Sequence, residues 1–221
     1  MLKAVIFDLD GTLANTISAI REGVNLTMEQ YGYPTHTDAD ILRFINFGAR
    51  ELIRRAMPEP HRSDGEQVSR VLADYNRLYG TVYHHTNRCY DGMVEAVRAM
   101  HDTLGLKIGV LSNKQDLFVR KLTRQLLPEG VCECAQGVID GKPAKPDPYL
   151  SRRVADALGV ELCACAMVGD SDVDIRTASM AGMTHIGVSW GYRDEAFLRA
   201  NGAKTVAHTP AELLDIVKSM L

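Results

Sequence analysis

The first apolar stretch of the chain is short and unbroken. Ala4-Val5-Ile6-Phe7 has the pattern of a strand buried on both faces of a parallel sheet. The period then changes: Ile17, Ile20, Val24, Met28 and Tyr31 recur at helical spacing until Gly32 and Pro34 stop them. Further helices are predicted over 38–47, 49–57 and 66–83, with the polar, proline-containing 58–65 as a loop. No convincing strand falls between 14 and 88. Beyond Asp91-Gly92 the rhythm is one of alternation. Helices at 93–104, 115–127, 148–158, 173–181 and 210–220 are interleaved with strands at 106–111, 131–138 (weak), 164–168, 184–188 and 205–207. This predicts a doubly wound, Rossmann-like parallel α/β core, formed by 1–13 and 89–221 and interrupted after its first strand by an all-helical domain, 14–88.

Bulk properties narrow the function without choosing it. A chain of 221 residues suits one α/β core plus an insert, and 46% hydrophobic with 24% charged residues is ordinary for a globular protein. A net charge of −3 with no basic run speaks against nucleic acid or an anionic membrane as partner. The N-terminal apolar run is broken by Asp8 and Asp10, unlike a signal peptide, and no segment approaches a membrane span. Five cysteines, an odd number, fit a reducing cytoplasm better than a disulfide framework. Cys132/Cys134 and Cys163/Cys165 are Cys-x-Cys pairs whose spacing differs from the usual zinc knuckle, and the second pair reads as packing residues leading into a strand.

In open α/β sheets, ligands gather at the carboxyl ends of strands, so those ends carry the chemistry. The first ends in Asp8-Leu9-Asp10-Gly11-Thr12. Two carboxylates projecting the same way past a strand repel unless a cation lies between them. The strand at 106–111 ends in Ser112-Asn113-Lys114, where a hydroxyl and a backbone amide can meet a phosphate oxygen. Three prolines stiffen 141–148, which holds both Lys142 and Lys145 as candidate fixed point charges. The strand at 164–168 ends in Gly169-Asp170-Ser171-Asp172-Val173-Asp174. Helix capping explains one such acid well and three poorly; an oxygen-bound divalent cation, Mg²⁺ foremost, explains them together.

Taken in order, Asp8-x-Asp10-Gly-Thr-Leu, Ser112, Lys145-Pro-x-Pro148 and the cluster at Asp170 resemble the four motifs of the haloacid dehalogenase superfamily, in the subgroup with a helical cap after the first strand. Gly48-Ala-Arg-Glu-Leu-Ile-Arg-Arg55 and Val188-Ser-Trp-Gly-Tyr-Arg193 are closest to its phosphoglycolate phosphatase branch. The resemblance implies a Mg²⁺-dependent phosphatase acting on a small phosphorylated metabolite in the cytoplasm as a monomer or homodimer. Asp8 is then the nucleophile, Asp10 the acid and base, and Ser112 and Lys145 stabilise the transferring group. Mg²⁺ would be held by Asp8, Asp10 (through its carbonyl) and Asp170, with Asp174 behind them. Substrate contacts are expected from Gly11, Thr12, Asn113 and, for a carboxylate, Arg50. The insert is expected to close as a lid. A dehalogenase would not need Asp10 or Asp170, and a phosphonate hydrolase would need a cap lysine, absent between Lys3 and Lys107. A sugar phosphomutase, pyrophosphatase or nucleotidase would keep the same core residues and stays open; a phosphate-binding protein without activity would not need Asp10.

Overall fold

The computed structural model describes all 221 residues. They divide into two compact units, Met1–Asn15 with Cys89–Leu221, and Thr16–Arg88. In the first, a six-stranded parallel sheet runs through β1 (Ala4–Phe7), β4 (Lys107–Gln115), β5 (Cys134–Val138), β6 (Cys165–Gly169), β7 (Thr184–Val188) and β8 (Val206–Ala207). The spatial order β5-β4-β1-β6-β7-β8 reverses direction at β1, the doubly wound topology. The other two strands, β2 (Ala14–Asn15) and β3 (Arg88–Cys89), lie where the chain passes between the units.

All four residues of β1 are fully buried, as expected for a central strand with helices on both faces. Ala4 and Ile6 face one way and pack with Leu150, Val154 and Leu158 of α7 (Pro148–Leu158) and Ala178 of α8 (Asp172–Ala181). The remaining helices of this unit are α5 (Met93–Arg98), α6 (Asp116–Leu126), α9 (Glu195–Ala200) and α10 (Pro210–Lys218). In-register pairing aligns Phe7 with Val110 on one side and Val168 on the other. The segments that follow β1 and β6 therefore leave the sheet side by side.

The second unit holds α1 (Ile17–Gln30), α2 (Asp38–Phe44), α3 (Ala49–Ala56) and α4 (Gly65–Val82). Here α2 is three residues shorter than the sequence suggests. Its C-cap Ile45 is extended and Asn46 has φ 81°, so the backbone leaves the helix before Gly48. The other correction is at β4. It does not stop at Leu111 but continues, through a register irregularity against β5, to Gln115. Ser112, Asn113 and Lys114 are thus strand residues in spite of their turn-forming side chains, and they lie in the stretch where the register shifts.

Candidate active site

The Asp8 amide donates to the Val168 carbonyl at 2.9 Å, so the residue is pinned to the sheet although β1 ends at Phe7. Its carboxylate meets those of Asp170, one residue past β6, and Asp174, in the first turn of α8; one oxygen from each lies within 4.8 Å of the others. Lys145 enters among them. Its ammonium is 2.9 Å from Asp8 Oδ1 and donates to Asp174 Oδ1 at 2.7 Å, with only 2% of the lysine side chain exposed and none of Asp174. Of the two lysines in the stiffened segment, Lys145, the one the resemblance singled out, is the one that enters, fixed by contacts as well as prolines. Asn113 clamps its peptide, accepting from the Lys145 amide at 2.8 Å and donating to its carbonyl at 3.0 Å. The Asn113 side chain therefore positions the lysine. Asp174 is equally committed: its Oδ2 accepts from the Ser171 amide at 3.1 Å and hydroxyl at 2.6 Å, closing a capping box at the start of α8.

One buried ammonium does not balance three buried carboxylates. Burial pushes the Asp8 carboxyl up to about 7 against the pull of Lys145, with Asp174 and Asp10 adding repulsion. Burial, then Asp174 and Asp8, push Asp170 up to about 8, although the Tyr192 amide and Thr12 hydroxyl favour its charged form. Lys145 moves the other way: burial disfavours its charge, yet Asp174 and then Asp8 more than offset this and hold its pKa above the ordinary value. The cluster is thus a set of hard oxygen donors in need of positive charge, which fits a divalent cation of the Mg²⁺ or Ca²⁺ type.

Asp10 stands apart from this cluster. Its carboxylate, with the side chain 17% exposed, accepts from Lys114 Nζ at 2.9 Å, and the lysine is itself 9% exposed. Thr12, expected to touch substrate, donates its hydroxyl to Asp170 Oδ1 at 3.0 Å. Gly11 sits at φ 88°, where a Cβ would fall 2.5 Å from Asp170 Oδ2, so this turn both needs the left-handed region and lies against the acid. Ser112 is buried, and its hydroxyl accepts from the Lys114 amide at 3.2 Å.

Other residues complete the site without having been assigned a part in it from sequence. Ser189–Tyr192 folds over the first loop: Trp190 Nε1 donates to the Thr12 carbonyl at 3.1 Å, and the Tyr192 amide donates to Asp170 Oδ2 at 2.8 Å. Gly191 approaches the Gly11 backbone too closely for any Cβ. Lys114 reaches Asp10 only in the fold, 104 residues away in sequence.

Arg50, expected to meet a substrate carboxylate, is engaged within the helical unit. It donates to Ser69 Oγ at 2.9 Å and to the Gly65 carbonyl at 3.1 Å, tying the first turn of α3 to that of α4. All five cysteines are free, and none belongs to a cluster suited to a metal. Burial raises the Cys132 thiol to about 12 and the Cys165 thiol to about 11, which suits packing rather than thiolate chemistry. No helix is long and apolar enough to cross a membrane.

Known proteins are similar to this chain along nearly its whole length. A phosphoglycolate phosphatase of Photobacterium profundum is 29% identical over 98% of this chain and 96% of its own. Another, from Rhodospirillum rubrum, is 31% identical over 88% of this chain and 83% of its own. A crystal structure of a protein from Lactobacillus delbrueckii subsp. bulgaricus superposes with a TM-score of 0.88 at 28% identity, covering 97% of this chain and 98% of that one. The family model for haloacid dehalogenase-like hydrolases matches residues 5–188, a span that takes in Asp8, Ser112, Lys145, Asp170 and Asp174, and the chain belongs to that family.

Proposed function

We propose that the protein hydrolyses a small phosphate monoester, phosphoglycolate being the best candidate, with Mg²⁺ as its metal and an aspartyl-phosphate as the intermediate. The chain is a phosphoric monoester hydrolase. The observation that carries the mechanism is Asp8 held 2.9 Å from a buried ammonium and beside two further carboxylates at the end of the central strand. A buried carboxylate oriented in this way is a nucleophile awaiting an electrophilic phosphorus. Lys145 neutralises a phosphoryl oxygen as charge builds, fixed in place by Asn113 and Asp174. Ser112, buried next to Asn113 in the chain, would be a further donor. Asp10, more exposed than Asp8, protonates the leaving alcohol and then takes a proton from the water that cleaves the acyl phosphate. Asp8 and Asp170, with the Asp10 carbonyl, would hold Mg²⁺, whose charge draws electron density from the phosphoryl oxygens. Phosphoglycolate is favoured by the curated relatives that carry that name.

Phosphate release across a panel of esters, with Mg²⁺, with EDTA and with excess Ca²⁺, tests this reading. Turnover is expected with Mg²⁺ alone, because Ca²⁺ prefers more ligands and longer bonds than in-line attack tolerates. Full turnover after exhaustive metal removal would exclude the metal-dependent mechanism. Equal rates on charged and neutral esters would exclude phosphoglycolate as the preferred substrate.

A further inference from the structure

We infer that Lys114 is a specificity-determining residue, an ammonium that leaves Asp10 to bind a carboxylate carried by the leaving group of the substrate. The inference rests on the proposed reading of the site and names the group that selects its substrate class. Asp10 occupies the place of the acid that meets the ester oxygen, so whatever bonds Asp10 also borders the leaving group. Lys114 Nζ bonds Asp10 at 2.9 Å. In a phosphorylated hydroxy acid as short as glycolate, the carboxylate carbon is two bonds from the ester oxygen. With that oxygen against Asp10, the carboxylate lies within reach of the same ammonium.

Three features of the site favour this exchange over a fixed structural pair. The lysine is nearly buried, so its charge is poorly screened and worth most to an incoming anion. The other site cation, Lys145, is held by Asp8, Asp174 and the Asn113 clamp, so it answers to the transferring group. The guanidinium of Arg50 is bonded to Ser69 and Gly65 within its own unit. Lys114 thus carries the charge that a second substrate anion needs.

The test compares phosphoglycolate with hydroxyethyl phosphate, which has nearly the same shape but no carboxylate, using the Mg²⁺-loaded protein. In Lys114→Met the ratio of kcat/KM for the two esters should fall at least about tenfold, mostly through KM, and Lys114→Arg should restore part of it. Lys114→Gln gives the same reading if the methionine variant fails to fold. Binding supplies a readout independent of turnover. In slow-turnover Asp10→Asn the ammonium has lost its competing carboxylate, so calorimetry should find phosphoglycolate bound at least about tenfold tighter than hydroxyethyl phosphate, a gap that adding Lys114→Met closes. A folded Lys114 variant that keeps the wild-type ratio overturns the inference alone. So does a ratio that collapses in Arg50→Gln and not in Lys114→Met. A wild type that releases phosphate without preferring phosphoglycolate overturns the proposed substrate as well, and one that releases none overturns the activity itself.

Discussion

Lys145 has to satisfy two buried acids at once, which makes it the most exposed point of failure among the side chains. Lys145→Met would leave Asp8 and Asp174 uncompensated in a site already short of positive charge. Breaking such a pair from one side costs about 3–5 kcal/mol, so a large loss of stability in urea should accompany the loss of turnover. Asn113→Ala is the finer probe. It leaves the ammonium present but removes both bonds that fix its peptide. A fall in kcat on the order of a hundredfold with little change in KM is expected, because a catalytic charge displaced by an ångström still binds but no longer aligns. A proportionate rise in KM instead would place Asn113 among the groups that bind substrate. Sequence carried Lys145 but not its clamp. An Asn next to a Ser reads locally as a turn, and only the folded chain brings residue 113 to residue 145.

At the scale of elements, the site is built where β1 and β6 end and where three loops press on one another. Ser189–Tyr192 is one of these, bonded to Thr12 and Asp170, and Gly191 packs on the Gly11 backbone. Gly191→Ala should push this loop from Gly11, cost about 1–3 kcal/mol through overpacking, and weaken Mg²⁺ binding as the Tyr192 amide leaves Asp170. Calorimetric titration of the metal checks the second effect, and unchanged affinity would mean that Asp170 needs no such support. The strands and most helices of the core were legible because each alternates cleanly with Gly or Pro at its ends, as at Gly159 and Gly182. The continuation of β4 was not. Ser112-Asn113-Lys114 has poor strand propensity and lies where the β4–β5 register shifts, between the pairs Leu111/Gln136 and Gln115/Val138, a nonlocal feature that spacing does not reveal. The two-residue strands β2 and β3 are too short to have any period.

For the whole molecule, the buried acids link stability to pH and to metal. Without a cation, the carboxyls of Asp8 and Asp170 ionise only at about 7 and about 8, above their unfolded values near 4. Between those limits the folded state holds more protons than the unfolded one, so these groups make the metal-free protein less stable as pH rises from about 4 to 8. A divalent cation binds the ionised forms and need not displace protons at the upper end. The Mg²⁺-minus-EDTA difference in melting temperature should therefore be larger at pH 8 than at pH 6. At about a hundredfold excess over Kd the stabilisation is ~2.7 kcal/mol, or several degrees for a chain of this size. A difference that shrinks toward pH 8 would place the cation elsewhere. The three motifs that form this charge cluster were readable in the sequence because each sits at a strand end or in a stiffened loop. The imbalance of one ammonium against three carboxylates required the folded distances.

The central claim is that Asp8 takes the phosphoryl group. The most direct measurement is acid-quench trapping of radiolabelled protein from Asp10→Asn, which should form the intermediate but break it down slowly when the leaving group is as good as p-nitrophenolate. Label is expected on the protein, labile to hydroxylamine, in the peptide that contains Asp8, and none when Asp8→Asn is added. Label on any other residue, or phosphate release at the wild-type rate from Asp8→Asn, would contradict it.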